Sequence, residues 1–306
     1  MLQTLVLLVD EDNLKDKNVK ASVDEVARYV KECGYNSFVA TDLEEFESSF
    51  PKEDMISTLA VCDSGQSCEK LLSDGYYVVG MKHELNPEME FKGAKYVFSE
   101  IDNVDMDSFV KVYQRYSGEP WEILKTERLL IRETTVEDVD EFYKLYKDPS
   151  MTRFMEGLFD EPEDEKRYQR DYIKKVYGLM GFGVWTLVRR EDGAVIGRAG
   201  YSVRNGFDEV ELGYLVGKDY QRHGYALEAC AAILDYGRDV LQFDAVQTLV
   251  KAENTVSIHM CEKLGFKKES EVEVEENIYG KEYKDGEKVA LNQATFGKYI
   301  KMVRTF

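Results

Sequence analysis

Residues 210–235 read VELGYLVGKDYQRHGYALEACAAILD, and this stretch decides the fold of the part of the chain around it. Its beginning is rich in β-branched and aromatic residues, which predicts a strand. Its end repeats apolar residues at helical spacing, which predicts the buried face of a helix. Gln221 to Ala226 lie between the two. The stretch therefore predicts a strand that enters a helix through one short loop.

The loop from Gln221 to Ala226 is a candidate anion-binding turn. Gly224 permits backbone conformations that turn N–H groups toward a single point. The helix that follows presents the positive end of its dipole to the same point. A pyrophosphate fits this geometry. An ordinary strand-to-helix turn explains the loop equally well when it is considered alone, since such connections are common.

Composition indicates a globular protein of one to three domains. The chain has 306 residues, of which 43% are hydrophobic and 32% charged. No apolar run reaches the ~18 residues of a membrane span, and the N-terminus lacks signal-peptide features. The five cysteines are odd in number and no pair has zinc spacing. We therefore expect a cytoplasmic protein with reduced thiols, no membrane partner and no metal site.

The formal net charge of -19 restricts the possible partners. Nucleic acid binding requires a basic surface, so no nucleic acid partner is expected. An acidic rim attracts cationic substrates such as amines. Plain solubility is an equally good explanation of the same charge.

The first 120 residues alternate predicted strands with predicted helices, which indicates an α/β domain with a doubly wound parallel sheet. Ser22-x-x-Glu25 has the form of a capping box and predicts the start of the first helix. Ser117-Gly118-Glu119-Pro120 breaks the pattern and predicts a domain boundary near residue 120. The sequence therefore predicts two domains, residues 1–120 and residues 121–306.

The segment VCDSGQSCEKLLSDGYYVVGM, residues 61–81, resembles the fourth motif region of haloacid dehalogenase-like (HAD-like) hydrolases. That resemblance implies Asp10 as nucleophile, Asp12 as general acid, Thr41 as phosphate-binding hydroxyl, Lys52 as basic residue and Asp63 as magnesium ligand. The chain departs from the family's Asp-x-Asp-Gly-Thr motif, because it reads Asp-Glu-Asp-Asn-Leu from Asp10. The acid triplet also resembles response-regulator receivers. A degenerate, structural or interaction domain is the expected outcome.

The remaining residues predict a mixed sheet of α+β type. Thr134-x-x-Glu137 has the form of a second capping box. Glu191-Asp192-Gly193 and Asn205-Gly206 predict hairpin turns that join three antiparallel strands. Another turn is predicted at residues 284–287, and residues 289–302 are predicted to complete the sheet.

Several short motifs between residues 126 and 266 occur in the order and spacing that are typical of one protein family. They are Thr126-Glu127-Arg128-Leu129, Ile196-Gly197, Glu211-Leu212-Gly213-Tyr214, Gln221-x-x-Gly224-x-Ala226, Asn254-x-x-Ser257 and Glu262-Lys263-Leu264-Gly265-Phe266. Residues 126–302 thereby resemble the GCN5-related N-acetyltransferase (GNAT) family, and within it the subgroup that includes ribosomal-protein N-terminal acetyltransferases. The resemblance implies acetyl-CoA as co-substrate and a primary amine of a small molecule or of a peptide or protein N-terminus as acceptor. A homodimer is possible.

The same resemblance implies a set of coenzyme A-binding residues. These are Leu215, Val216, Gln221, Arg222, His223, Gly224, Tyr225, Ala226, Asn254 and Ser257. Backbone groups of the loop would hold the pyrophosphate, and the strand at Leu215 and Val216 would pair with pantetheine. Asn254 has a second explanation as a helix cap.

Glu211 is the predicted general base, acting directly or through a water. Glu209 is its nearest competitor. Cys261 stands where the family often has a tyrosine that protonates the departing thiolate, so its thiol is the candidate proton donor; a packing role is the alternative. Two other functions stay open, namely phosphohydrolase activity in the first domain and a non-catalytic coenzyme A-binding or interaction role.

Overall fold

The computed structural model describes residues 1–306 except 51, 277, 281, 285 and 289–293, and of residues 52 and 53 only the backbone. The chain divides into two compact units, Met1–Glu119 and Pro120–Phe306. The Lys52 side chain, part of the turn predicted at 284–287 and the start of the strand predicted at 289–302 lie outside the described residues.

The first unit contains a sheet of five parallel strands in the order β2-β1-β3-β4-β5. They are β1 (Thr4–Leu8), β2 (Asn36–Ala40), β3 (Thr58–Cys62), β4 (Tyr77–Lys82) and β5 (Val97–Ser99). The central strands are fully buried, because helices cover both faces of the sheet. The doubly wound parallel sheet predicted from the sequence is confirmed.

Four helices cover the two faces of this sheet. They are α1 (Lys17–Glu32), α2 (Leu43–Ser49), α3 (Gly65–Ser73) and α4 (Met106–Ser117). Residues of α1 and α4 pack with Leu5 and Leu7 in one core, whereas α2 and α3 pack with Val6 and Leu8 in another. Alternate residues of one strand therefore enter two different cores.

The second unit contains an eight-stranded sheet in the order β12-β13-β11-β10-β9-β8-β7-β6. The strands are β6 (Glu122–Lys125), β7 (Leu129–Arg132), β8 (Val184–Arg189), β9 (Val195–Ser202), β10 (Val210–Val216), β11 (Ala245–Lys251), β12 (Lys267–Glu276) and β13 (Thr295–Thr305). Neighbouring strands are antiparallel except β10 and β11, which are parallel. The predicted mixed sheet is confirmed.

Helices lie on both sides of this second sheet. They are α5 (Asp138–Leu145), α6 (Pro162–Tyr172) with a π-helical continuation Ile173–Tyr177, α7 (Gly178–Met180), α8 (Tyr225–Asp239) and α9 (Thr255–Lys263). Ala229, Ile233 and Ile258 of α8 and α9 join the main core on one side. Phe142 of α5 packs on the opposite side, against Arg198 of β9. We call this opposite side, which carries Arg198, Glu211, Gly213 and Leu215, the α5 side.

Both predicted capping boxes are wrong. Helix α1 begins at Lys17, because the Asp16 side chain accepts hydrogen bonds from the backbone N–H groups of Asn18 and Val19. Helix α5 begins only at Asp138, and the Thr134 hydroxyl is buried and accepts a hydrogen bond from Thr186 at 2.9 Å. None of the helices in the described part of the chain has the length and apolar content to cross a bilayer.

Candidate active site

Strands β10 and β11 separate shortly after they begin to pair. Their register comprises Val210 with Val246 and Glu211 with Gln247, and beyond these pairs no bridge joins the two strands. On its other edge β10 stays paired with β9 as far as Val216. The β11-facing edge of β10 therefore carries backbone N–H and C=O groups without a strand partner. This gap lies in the middle of the sheet.

The alternation of the β9–β10 ladder decides which backbone groups face the gap. Gly217 donates its N–H to Ile196 at 2.8 Å, so the Leu215 backbone bonds to β9, whereas Tyr214 and Val216 face β11. The Val216 carbonyl accepts a hydrogen bond from Gln221 Nε2 at 3.0 Å. The geometry thus favours Val216 over Leu215 as a backbone partner for an extended ligand.

The loop after β10 exposes the N-terminus of α8. Arg222 and Gly224 both adopt left-handed backbone conformations, with φ of 63° and 85°. No side chain caps α8 at Gly224, and the first backbone bond of the helix runs from Glu228 N–H to the Gly224 carbonyl. The N–H groups of the first turn are therefore left for an external acceptor at the positive end of the helix dipole. An anion such as pyrophosphate fits this arrangement.

A partly exposed ion pair between Arg128 and Glu228 fixes this loop to the residues that precede β7. Arg128 Nε donates to Glu228 at 2.7 Å, and Arg128 Nη1 donates to the His223 carbonyl at 2.9 Å. Thr126 Oγ1 donates to the same carboxylate at 2.5 Å. Burial disfavours the charged form of Glu228, but the hydrogen bonds from Thr126 and Arg128 outweigh it and lower the pKa of Glu228. Residues that lie about a hundred positions earlier in the chain therefore hold the loop in place.

Glu211 lies where β10 and β11 divide, on the α5 side. Its side chain is buried and accepts a hydrogen bond from Arg204 Nε at 3.0 Å. The Glu211 carboxylate raises the pKa of Arg204, although burial acts in the opposite direction. Glu209 precedes β10 and pairs with Lys301 at 3.1 Å. Of the two glutamates, only Glu211 lies on the strand that borders the gap.

Gln247 is the neighbour of Glu211 across the last bridge of the two strands, so both side chains point to the α5 side. Gln247 is fully buried, and neither polar atom of its side chain has a hydrogen-bond partner among the described residues. At Gly213, two residues beyond Glu211, no heavy atom lies within 4 Å of the point where a side chain would begin. The Glu211 carboxylate, the Gln247 amide and the open space at Gly213 are therefore neighbours on the α5 side of the sheet.

A cluster of hydroxyl and thiol groups lies on the other side of the gap. The Tyr214 hydroxyl is 2.6 Å from the Ser257 hydroxyl. Cys261 is buried, and burial raises the pKa of its thiol, which hydrogen bonds with Ser257, Tyr214 and Thr248 offset only in part. Burial likewise raises the pKa of Tyr214. Tyr214 and Cys261 therefore keep their protons at neutral pH, so in a proton transfer they can serve as donors and not as bases.

The other predicted ligand-binding residues lie around the same gap. The Asn254 side chain accepts a hydrogen bond from Ser257 N–H at 3.2 Å and so caps α9. His223 is exposed in the loop. His259 is also exposed, with Nδ1 2.7 Å from the Thr255 carbonyl oxygen. A structural role as a cap is thus present at Asn254, and a ligand role stays a prediction.

Comparison with known proteins agrees with this geometry. A family model described as an acetyltransferase (GNAT) domain matches residues 128–267. The uncharacterized N-acetyltransferase p20 of Bacillus licheniformis is 32% identical over 154 residues, which cover 48% of this chain and 84% of p20. The chain belongs to the GNAT family. Its activity class is therefore acyl transfer, and the family takes the acetyl group from acetyl-CoA.

Other GNAT proteins show similar degrees of likeness. The uncharacterized N-acetyltransferase YnaD of Bacillus subtilis is 31% identical over 147 residues, with coverage of 48% of this chain and 83% of YnaD. A solved structure of a GNAT acetyltransferase from Bacillus anthracis is 22% identical, covers 60% of this chain and 97% of its own, and has a TM-score of 0.45.

The GNAT family model does not match the first unit. There, several residues predicted for phosphatase chemistry contact other residues of the same unit. Asp12 pairs with Lys15 at 2.6 Å, and the Thr41 hydroxyl donates to Glu45 at 2.9 Å. Asp63 is buried and accepts hydrogen bonds from the Asp10 backbone at 3.1 Å and from Asn13 Nδ2 at 2.8 Å. His83 Nε2 lies 3.3 Å from the same carboxylate. Across the described residues, no group of three His, Cys, Asp or Glu side chains could hold a metal ion.

Four residues of the candidate site were not predicted as such from the sequence. Arg128 was noted only as part of a motif, and its partner Glu228 stands in the helix that the loop begins. Arg204 and Gln247 carry no local signal, because only the pairing of distant strands brings them to Glu211. A search for polar residues inside predicted strands would have found Gln247.

Proposed function

We propose that the second unit binds acetyl-CoA in the gap between β10 and β11 and transfers the acetyl group to a primary amine. The uncapped N-terminus of α8 at the end of this gap is the observation that carries the proposal. The loop from Gln221 to Ala226 would hold the pyrophosphate through backbone N–H groups, with Arg128 and Glu228 as its support. The backbone edge of Tyr214 and Val216 that faces the gap would pair with the pantetheine, and the Val216 carbonyl also accepts a hydrogen bond from Gln221 Nε2. Bound acetyl-CoA supplies an activated thioester.

The residues on the two sides of the gap divide the proton transfers between them. Glu211 on the α5 side takes the proton of the attacking amine, directly or through a water held by Gln247. Tyr214, Ser257 and Cys261 on the other side form a cluster of protonated groups. This cluster returns a proton to the thiolate, with Cys261 or Tyr214 as the terminal donor.

The acceptor in this proposal is an amine of a small molecule or of a peptide N-terminus. Open space at Gly213 supports direct attack beside Glu211, without a covalent enzyme intermediate. A purely coenzyme A-binding role has less support, because it gives no reason for a glutamate and an unpartnered amide at the point of division. Membership of the ribosomal-protein subgroup, a cytoplasmic location and dimerisation remain predictions from the sequence.

For the first unit we propose a non-catalytic domain that retains a weak likeness to HAD-like proteins. Support comes from Asp63, whose carboxylate is saturated by hydrogen bonds from its own unit. Magnesium-dependent hydrolysis of a generic phosphate ester is therefore not expected. Hydrolysis that is lost in Asp10→Asn would overturn this assignment and restore the bifunctional alternative.

Thiol release from acetyl-CoA across a panel of primary amines tests the proposed reaction. We expect turnover with at least one amine, and a decrease of about 100-fold or more in kcat for Glu211→Gln, the usual size of a general-base contribution. Glu209→Gln is the matched control and keeps its activity. Binding of acetyl-CoA without thiol release from any amine would favour the non-catalytic alternative.

A further inference from the structure

A cluster of polar side chains on the α5 side has no part in the chemistry above. Its centre is Arg198 of β9, whose guanidinium carbon lies 4.5 Å from the centre of the Phe142 ring. Arg198 Nε is buried and has no hydrogen-bond partner among the described residues. Those residues also provide no carboxylate within the 4.0 Å of a salt bridge. The charge of Glu165 reaches Arg198 only through space.

Gln169 of α6 extends this cluster. It is fully buried, and both its Nε2 and its Oε1 lack hydrogen-bond partners in the described part of the chain. It follows the buried Glu165 by one helical turn, so the two side chains leave the same face of α6. The Tyr146 hydroxyl, just after α5, lies against Arg198. The cluster therefore contains three buried polar atoms without a hydrogen-bond partner among the described residues, namely Arg198 Nε, Gln169 Nε2 and Gln169 Oε1.

The cluster is costly unless a ligand completes it. A buried polar group without a hydrogen-bond partner destabilises the fold, and a charged group does so more strongly. A carboxylate would accept hydrogen bonds from the Arg198 guanidinium and the Gln169 amide together. Glu165 does not fill this role, because it is not within salt-bridge distance of Arg198, and its Oε2 accepts a hydrogen bond from Phe159 N–H at 3.3 Å.

The position of Arg198 relates this cluster to the proposed reaction centre. Arg198 pairs with Leu215 in the β9–β10 ladder, and Gly213 pairs with Gly200. Arg198 and Gly213 are thus diagonal neighbours on the same side of the sheet, with Cα atoms about 7–8 Å apart. The Arg198 side chain is long enough to cover that diagonal. A molecule with its nitrogen over Gly213 can therefore place a nearby carboxylate at Arg198.

We propose that the acceptor is an amine that also carries a carboxylate close to its nitrogen, as an α-amino acid does, and that Arg198 and Gln169 bind this carboxylate. The inference rests on the proposed acetyl transfer and names the substrate class for the same site. It replaces the expectation of a simple cationic amine, which the net charge alone suggested. Half-buried Tyr168 and Tyr172 of α6 adjoin Arg198 and suit an apolar side chain.

Three matched ligands test this assignment on the full-length protein saturated with coenzyme A. They are L-phenylalanine, 2-phenylethylamine, which lacks the carboxylate, and phenylalaninamide, which has a neutral amide in its place. Calorimetry should show phenylalanine binding at least about tenfold more tightly than either of the others, as expected for one charge-assisted contact. Equal or tighter binding of phenylethylamine would overturn the proposal. Equal binding of the amide would also overturn it, in favour of a peptide N-terminus.

Variants provide an independent check. Arg198→Met keeps an apolar stem against Phe142 and should bind phenylalanine and phenylethylamine equally. Arg153→Met is the matched control, because Arg153 is exposed and also stacks on a phenylalanine ring, at 4.8 Å; it should keep the preference. Retention of the preference in Arg198→Met would contradict the assignment, and if that variant does not fold, the three ligands on the unaltered protein still decide. Thiol release in parallel assays, with acetyl-CoA in place of coenzyme A, reports separately on acetyl transfer.

Discussion

Glu211 and Arg204 form an ion pair at the point where β10 and β11 separate. An approaching amine must compete with the Arg204 guanidinium for the same carboxylate. Proton removal by Glu211 matters most when the amine is largely protonated. The catalytic contribution of this residue should therefore depend on pH in a predictable direction.

Glu211→Gln should reduce kcat by about 100-fold at neutral pH. The deficit should shrink as the pH rises toward the pKa of the amine substrate, because the neutral amine then no longer needs a base. The measurement is kcat at saturating amine across the pH range, with Glu209→Gln as control. Full activity of Glu211→Gln at every pH would show that another group removes the proton.

Gln247 is buried without hydrogen-bond partners among the described residues, which is energetically costly. It also lies beside Glu211. Replacement by leucine removes a buried amide without partners and should stabilise the fold by about 1 kcal/mol. The same change should lower kcat about tenfold or more if the amide holds the amine or a water for Glu211. Thermal unfolding and steady-state kinetics on one sample measure both effects. A more stable variant with unchanged kcat would reduce Gln247 to a packing residue.

At the scale of elements, α8 and its preceding loop depend on the Arg128–Glu228 pair. Glu228→Ala should raise the KM for acetyl-CoA by about tenfold, equivalent to 1.4 kcal/mol, because the loop loses its attachment to β7. The kcat at saturating acetyl-CoA should change little. Asp239→Ala is the matched control, since it breaks an exposed ion pair with Arg238 in the last turn of the same helix. Equal effects of the two variants on the KM for acetyl-CoA would show that the Arg128–Glu228 pair does not specifically support the loop.

Local elements were predictable from the sequence where the signal is contiguous. The strand, loop and helix of residues 210–235 and the turn at Asp192-Gly193 appear as predicted. The capping boxes failed because a four-residue pattern competes with other partners. Asp16 caps α1 before Ser22 is reached, and Thr134 finds Thr186 about fifty residues away.

The candidate site was predictable only in part for a related reason. The loop at Gln221 and the strand that carries Glu211 are local patterns. Gln247, Arg198 and Gln169 acquire meaning only through strand register and helix placement. Burial without a partner is a property of the folded chain, and no periodicity reveals it.

At the scale of the whole molecule, the two units carry different kinds of polar centre. The first unit centres on a carboxylate saturated by its own chain, Asp63. The second unit contains buried polar atoms that have no hydrogen-bond partner among the described residues, namely both side-chain polar atoms of Gln247 and of Gln169, and Arg198 Nε. This contrast supports our proposal that the first unit is non-catalytic and that the second unit binds the ligands and carries out the chemistry.

Asp63→Ala should lower the free energy of unfolding of the first unit by about 2–4 kcal/mol, because Asn13, His83 and the Asp10 N–H lose their acceptor in a buried place. Asp10→Ala is the control; that side chain is exposed and its loss should have a much smaller effect. Urea denaturation followed by circular dichroism measures both. Similar effects of the two substitutions would contradict a structural role for Asp63.

The central claim is that the uncapped N-terminus of α8 binds the pyrophosphate of acetyl-CoA. Calorimetric titration with acetyl-CoA and with S-acetylpantetheine, which lacks the pyrophosphate and nucleotide, tests it most directly. We predict saturable binding of acetyl-CoA, and binding of S-acetylpantetheine at least about tenfold weaker, since the contacts with the α8 N-terminus are lost. Absence of binding at millimolar acetyl-CoA, or equal affinity for the two ligands, would contradict the claim.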